Sequence, residues 1–373
     1  MIIGTVKEIM DQEYRVGLTP EAVHSIVADG HQVLVEAHAG EGSGFSDQEY
    51  VQAGASMVAG AAEVFARSAL VVKVKQLLEP EYDHLRSGLI VFTFLHLAVE
   101  PELTRVLVEK EVTGIDFATV QLPNRDLPLL TPMSEVAGRL ATQVAAHYLC
   151  KMCGGSGKLL GGVPGVPPCK VVVIGAGTVG TNAAEIALGM GADLTIIDKD
   201  IDRLRHLSGI LHGRVKTLAS TPTHIAEATR DADVLVGAVL IPGAKAPVLV
   251  SREMIRSMKP GSVVVDVCVD QGGCIETIHP TTHSEPTFVV DGVLHYGLPN
   301  MPGMVPRTST HALTNATLPY VLDLANRGFA EAVNADSALA RGVNVYRGRI
   351  TNAAVAEAMG MAFVPLEQLL PGA

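Results

Sequence analysis

KVVVIGAGTVGTNAAEIALGMGADLTIIDKD, residues 170–200, carries the most specific local pattern in this chain. It opens on an apolar β-branched run, Val171 to Ile174, which predicts a strand buried on both faces. Gly175, Gly177 and Gly180 then form G-x-G-x-x-G, with Thr178 and Val179 between them, and a helix of small residues follows to Met190. A second apolar run, Leu194 to Ile197, ends at Asp198. Strand, glycine turn, helix, strand and acid stand in the order that a dinucleotide requires. The first glycine makes the tight turn, the second lets the main chain approach the pyrophosphate, and the third lets helix and strand pack closely. The pyrophosphate is then met by free N–H groups at the helix N-terminus. Asp198, about 20 residues beyond the turn, is placed to accept hydrogen bonds from the ribose hydroxyls. Its charge repels a 2′-phosphate and favours NAD over NADP, although Lys199 and Arg203 stand close enough in sequence to meet a phosphate.

The chain is 373 residues long and 48% apolar, enough for two cores, and the glycine motif begins near its middle. A net charge of −11, with acids and bases interspersed, speaks against nucleic acid or an anionic membrane as partner. No apolar run approaches the roughly 18 to 20 residues of a membrane span, and the N-terminus lacks the pattern of a signal peptide. Five cysteines in apolar or glycine-rich surroundings fit a reduced, cytoplasmic protein. Cys150 and Cys153 form a C-x-x-C, but with no second pair nearby they read as structural.

Read from its start, the chain alternates strands and helices. Met1 to Val6 is a first strand; Arg15 lies in the loop after it, and Thr19 with Pro20 starts a helix. Strands follow at His31–Glu36 and Ala69–Val74, the latter leading to Lys75. The apolar run before His96 is another strand, and so is Val112–Phe117. Ligands of α/β sheets bind at the C-terminal ends of strands, so Lys75 and His96 are candidate site residues by position. A long helix starts at Thr131, with Ser134 in its first turn. Beyond the glycine motif, strands at Asp233–Ala238 and Ser262–Val269 lead to further loops, the second placing Asp270 beside two glycines. Asn300 sits in a proline-rich turn, and THALTNATLPYVLDLANRGF predicts a second long helix, with helical segments after it.

With these stretches in view, the chain resembles the family of alanine dehydrogenase and the alpha part of nicotinamide nucleotide transhydrogenase. The matching segments include KEIMDQEYRVGLTP, VVKVKQLLEPEY, LPLLTPMSEVAGRLA, VVVIGAGTVGTNAA and VDVCVDQGGCIET, in family order across most of the chain. The resemblance implies two Rossmann-like α/β domains. Residues 131–305 would form a central NAD-binding domain with a doubly wound parallel sheet, and residues 1–130 and 306–373 would together form the substrate domain. It implies NAD-dependent interconversion of L-alanine with pyruvate and ammonium by a homohexamer. Carried over position by position, Arg15 and Lys75 would bind the substrate carboxylate, and His96 would be the acid/base with Asp270 opposite it. Asn300 would help to position nicotinamide and substrate. Ser134, Asp198, Arg203, Ser220, Val239 and Leu240 would line the NAD site, with Val267, Cys268, Val269, Asp270, Leu298, Pro299, Asn300 and Met301.

The chemistry suits this set on its own terms. A carboxylate is held well by a guanidinium with an ammonium, and histidine suits the proton transfers of an amine oxidation. There are departures from the family pattern. Ile278 and His279 stand where relatives have a small polar residue and an arginine, and Gly297 and Pro299 replace cysteine and alanine. Some relatives hold a divalent ion through an acid and a histidine on the late helix; Asp323 and Arg327 stand there, so no metal is expected. Two alternatives remain at this point. One is a soluble transhydrogenase-type NAD-binding subunit, against which His96 argues. The other is a dehydrogenase of another small 2-amino acid, such as glycine with glyoxylate.

Overall fold

The computed structural model describes residues 1–239 and 245–370, so Leu240 of the expected cofactor set lies outside the described residues. The strands run in chain order as β1 (Ile2–Thr5), β2 (Gln32–Glu36), β3 (Ser56–Val58), β4 (Leu70–Val72), β5 (Ile90–Thr93) and β6 (Thr113–Asp116). Then follow β7 (Lys170–Ile174), β8 (Asp193–Asp198), β9 (Lys216–Ala219), β10 (Val234–Gly237), β11 (Val263–Asp266), β12 (Thr287–Val290) and β13 (Val293–Tyr296), with β14 (Val343–Tyr346) and β15 (Arg349–Ile350) last. The chain divides into two compact units: Met1–Met133 with the chain from Val305 onward, and Ser134–Met304.

The sheet of the first unit has the order β15-β14-β6-β5-β4-β1-β2-β3. β1 to β6 pair in parallel, and their central residues are buried because helices cover such sheets on both faces. The chain winds outward from β1 through β2 and β3, then returns to pair β4 on the other side of β1. This reversal places a topological switch point between β1 and β4, where ligands of open α/β sheets bind. The first helix, Pro20–Ala28, starts as its residues dictate: Thr19 caps the Ala22 N–H and Pro20 takes the first turn.

The sheet of the second unit has the order β12-β13-β11-β10-β7-β8-β9, and its switch point lies between β7 and β10. Its core is built from Val172, Ile174, Ile197, Leu235, Val264 and their neighbours. In both units the parallel core follows the 3-2-1-4-5-6 strand order of dinucleotide-binding folds.

Neither sheet is purely parallel. β12 and β13 form an antiparallel hairpin around Asp291 and Gly292, both at positive φ, the arrangement a two-residue Asp-Gly turn favours. The expected helical tail after the second long helix, Pro306–Arg327, also contains a hairpin: β14 pairs antiparallel with β6 and with β15. The physical reason lies in the partner. Val343 and Val345 gain a buried place only because β6 offers them an open edge, a long-range effect that overrides local propensity.

Candidate active site

In the first unit, the ends of β1 and β4 converge on a buried ion cluster. Lys73 is fully buried, and its Nζ lies 2.6 Å from Glu81 Oε1 and 3.2 Å from Glu8 Oε2. Burial works against the Lys73 charge, but Glu8 and Glu81 outweigh it and hold its pKa raised. Glu8 also anchors main chain, since its Oε1 accepts the N–H groups of Val74 at 2.7 Å and Lys75 at 3.1 Å. Thr93 Oγ1, at the end of β5, donates to the Lys75 carbonyl at 2.8 Å. The Lys75 main chain is therefore held from both sides, which fixes where its half-buried side chain starts.

Arg15 is 2% exposed and is organised by its own loop. Its Nε and Nη2 donate to the two carboxylate oxygens of Glu13 at 2.7 and 2.6 Å, and Nη1 donates to Met133 Sδ at 3.2 Å. A bidentate pair fixes the plane of the guanidinium.

His96 follows β5 and is exposed, with φ of +54°. Left-handed backbone in a residue with a side chain costs about 1–3 kcal/mol and persists only where the surroundings impose it. Here the His96 N–H donates to Asp116 Oδ2 at 3.1 Å, and the imidazole lies parallel to the Phe94 ring at a centroid distance of 6.0 Å.

The second unit holds its candidate residues through main-chain geometry. Gly175 has φ of +103°, and a Cβ there or at Gly180 would collide with backbone carbonyl oxygens, Ala238 O and Gly175 O respectively. A Cβ at Gly177 would meet nothing nearer than Arg203 Nη1 at 3.8 Å. Two glycines are thus required by packing, and the middle one opens onto space. The helix Thr178–Gly189 starts there with Gly177 as its cap residue and no side-chain cap on its leading N–H groups, which therefore suit a pyrophosphate. Thr178 is exposed and Val179 half-buried.

Asp198 ends β8, with Oδ2 accepting from Ala176 N at 2.5 Å and Oδ1 from Asp200 N at 2.8 Å. It ties the glycine turn to the loop after β8, and each oxygen keeps a lone pair for a ribose hydroxyl. Lys199 and Arg203 are exposed, and Ser220, whose N–H bonds the Asp198 carbonyl at 2.9 Å, is half-buried. Val239 and Ser134 are half-buried too.

β11 ends in Asp266, which is 1% exposed. Its Oδ1 accepts the Cys268 N–H at 3.0 Å and its thiol at 2.8 Å; its Oδ2 accepts Cys274 N at 2.8 Å and Ile275 N at 3.2 Å. One buried carboxylate thereby shapes the loop that carries Val267, Cys268, Val269 and the exposed Asp270. Asp266, Cys268 and Cys274 place possible ligand atoms within 4.8 Å of one another, but the lone pairs of Asp266 already have four donors. Asn300 has φ of +55°, and Leu298 and Met301 on either side are buried while Pro299 is half-buried. On the late helix, Arg327 Nε lies 2.6 Å from Asp323 Oδ1.

The sequence reading singled out Lys75, His96, Asp198 and Asp270 near strand ends and passed over three buried carboxylates behind the candidate residues. Glu8, Asp116 and Asp266 each bond main-chain N–H groups of the loop that carries a candidate residue. Asp116 and Asp266 end apolar strands, so the rule that selects His96 would have found them.

Two family profiles match the chain: the N-terminal domain of alanine dehydrogenase/PNT over residues 4–137, and the C-terminal domain of the same family over residues 141–353. The chain belongs to the alanine dehydrogenase/PNT family. An alanine dehydrogenase of Methanococcus maripaludis is 54% identical over 371 residues, covering 99% of this chain and all of the relative. A solved L-alanine dehydrogenase is similar with a TM-score of 0.94 at 52% identity, over 96% of this chain and 99% of that one. The transhydrogenase structure from Sinorhizobium meliloti is more distant, with a TM-score of 0.83 at 26% identity over 94% of this chain and all of that one. Among the described residues, no helix is long and apolar enough to cross a membrane.

Proposed function

We infer that this chain is an NAD-dependent enzyme that interconverts L-alanine with pyruvate and ammonium. Full-length likeness to proteins named alanine dehydrogenase supports the substrate. The observation that carries the chemistry is His96, an exposed imidazole at a strand end whose left-handed main chain is anchored to a buried carboxylate. Binding NAD alone needs no such group. Asp198 in contact with the glycine turn supports NAD over NADP.

The residue roles follow from charge and placement. Arg15 and Lys75 bind the substrate carboxylate, Arg15 as a planar donor pre-aligned by Glu13 and Lys75 as a point charge on a locked main chain. Gly177 and the N–H groups of Thr178–Gly180 cradle the pyrophosphate, with Arg203 beside it. Ser134, Lys199, Ser220, Val239 and Leu240, with the segments 267–270 and 298–301, complete the NAD site, and Asn300 positions nicotinamide and substrate. Bound NAD supplies the hydride acceptor for the alanine C–H bond. The protein moves the protons. His96 takes a proton from the alanine ammonium and releases it to solvent before it takes another from the water that adds to the iminium carbon; it gives that proton to the carbinolamine nitrogen and takes the hydroxyl proton as the C–N bond breaks and ammonia leaves. Asp270 shares the acid/base role with His96. Residues 1–130 with 306–373 serve the substrate and residues 131–305 the cofactor, in a cytoplasmic homohexamer.

Purified protein given NAD and L-alanine is expected to accumulate reduced nicotinamide, faster at alkaline pH, where the substrate amine is deprotonated. An amino-acid panel run with both NAD and NADP separates alanine from glycine as substrate. The variant His96→Ala is expected to lose about 10²–10⁴-fold in turnover while retaining NADH binding. No reduction of NAD by alanine, or a fully active His96→Ala enzyme, overturns the assignment.

A further inference from the structure

Asp116 lies outside the roles above, yet it touches the residue on which they turn. It is the last residue of β6, in register with Thr93 of β5, which places it one strand across from the turn that carries His96. It is 2% exposed. Its Oδ2 accepts the His96 N–H at 3.1 Å and its Oδ1 accepts the Ala118 N–H at 2.8 Å.

We propose that Asp116 is the positioning residue of His96: a buried carboxylate that holds its main chain left-handed and so fixes where its imidazole starts. The inference rests on the reading of His96 as the acid/base. Asp116 touches no substrate in this scheme and acts through His96.

Geometry carries the proposal. A φ of +54° needs an enforcing contact, and the Asp116 bond to the His96 N–H is one. Phe94, stacked on the ring with planes 8° apart, restrains the side chain that this main chain presents. Asp116 itself is fixed by the Ala118 N–H, so the contact is rigid at both ends.

Electrostatics agrees with that placement. Burial pushes the Asp116 carboxyl up, and the His96 charge and the N–H groups of Ala118, His96 and Leu95 pull it back. A carboxylate out of water needs such donors, so the bond to the His96 N–H serves both partners.

The test is steady-state kinetics of Asp116→Ala, which strips the acceptor from the His96 N–H, beside Asp116→Asn, which keeps one carbonyl oxygen for it. In Asp116→Ala kcat for alanine oxidation should fall by at least about tenfold, as misplacing an acid/base group does, while KM for alanine and NADH affinity hold. Asp116→Asn should recover part of that kcat. A kcat unchanged in Asp116→Ala, or a loss that appears in KM and NADH affinity instead, overturns the proposal. Should Asp116→Ala fail to fold, Asp116→Asn decides: a kcat reduced by about a hundredfold or more with the His96 N–H acceptor still present overturns it. A His96→Ala enzyme that retains full turnover overturns the reading of His96 itself, independently of Asp116.

Discussion

The two units share a strand order and fill their switch points in opposite ways. Between β1 and β4 the chain places buried charges: Lys73, Glu8 and Glu81, with Arg15 and Glu13 close in sequence to β1. Between β7 and β10 it places main chain brought close by glycine, with Gly175 against the Ala238 carbonyl and Gly180 against the Gly175 carbonyl. Under the assignment proposed above, the difference follows from what each unit recognises. A pyrophosphate is a spread anion best met by N–H groups that only glycine lets come near. A small 2-amino acid offers one carboxylate and one reacting carbon, so discrete side chains must be aimed at it, and aiming a long cation requires buried partners. One fold therefore serves as a main-chain cradle in one unit and a side-chain clamp in the other.

If that contrast is right, the largest loss should come from the clamp. Glu8→Ala leaves Lys73 buried with Glu81 alone and strips the acceptor from two main-chain N–H groups, so stability should fall by about 3–5 kcal/mol. In protein that still folds, KM for alanine should rise more than KM for NAD. Glu8→Gln, which keeps an acceptor for Lys75 N–H, should recover part of the KM effect but less of the stability. Chemical denaturation with steady-state kinetics reads both; an alanine KM unchanged in the Glu8→Ala variant breaks the link between Glu8 and Lys75.

Gly180→Ala attacks the cradle. Its methyl must displace the Gly175 carbonyl, at a cost of about 1–3 kcal/mol, and NADH titration should show affinity falling by at least about tenfold while the first unit keeps its stability. Normal NADH affinity would mean that the turn tolerates a shift. Asp198→Ala should be milder, about 1–2 kcal/mol from two N–H groups left without an acceptor, and should narrow the preference for NAD over NADP. An unchanged cofactor ratio would place that preference in other residues.

The smallest effect concerns pH. His295 is fully buried in β13; its Nδ1 meets the Val293 carbonyl at 2.9 Å and its Nε2 meets Thr277 Oγ1 at 2.7 Å. The carbonyl fixes Nδ1 as the donor, which leaves Nε2 to accept from the hydroxyl in the neutral ring. Burial lowers its pKa from 6.5, so in acid the unfolded chain binds a proton that the folded chain refuses. Its stabilising contribution is present above about pH 6.5 and is lost as pH falls below it, by about 1.4 kcal/mol per pH unit at most. Thermal melts from pH 7 to pH 5 should show this slope for the wild type and a shallower one for His295→Asn. Equal slopes would remove His295 as the cause.

Legibility in the sequence followed how local the physics is. The glycine turn, its helix and Asp198 were readable because their requirements lie within one βαβ unit. Thr19 with Pro20 marked a helix start for the same reason. Lys75, His96 and Asp270 were found by a positional rule that was not carried to Asp116 or Asp266. Glu8 lies 65 residues before Lys73 (73 − 8), and nothing in either segment alone announces that they meet. The β12–β13 hairpin had a local mark in Asp291-Gly292, whereas β14 and β15 had almost none, because their burial depends on the edge of β6.

What the sequence by itself determined is therefore the cofactor turn, the family, and the side chains whose chemistry fits an amine oxidation, since those rest on short spacings and residue types. Tertiary structure decided how those side chains are held. Glu8 grips the Lys75 main chain, Glu13 fixes the Arg15 guanidinium, and Asp116 sets the His96 main chain in a conformation it would not otherwise keep. Buried carboxylates serve as these anchors because a charge out of water needs partners, and which partners it finds depends on the fold as a whole.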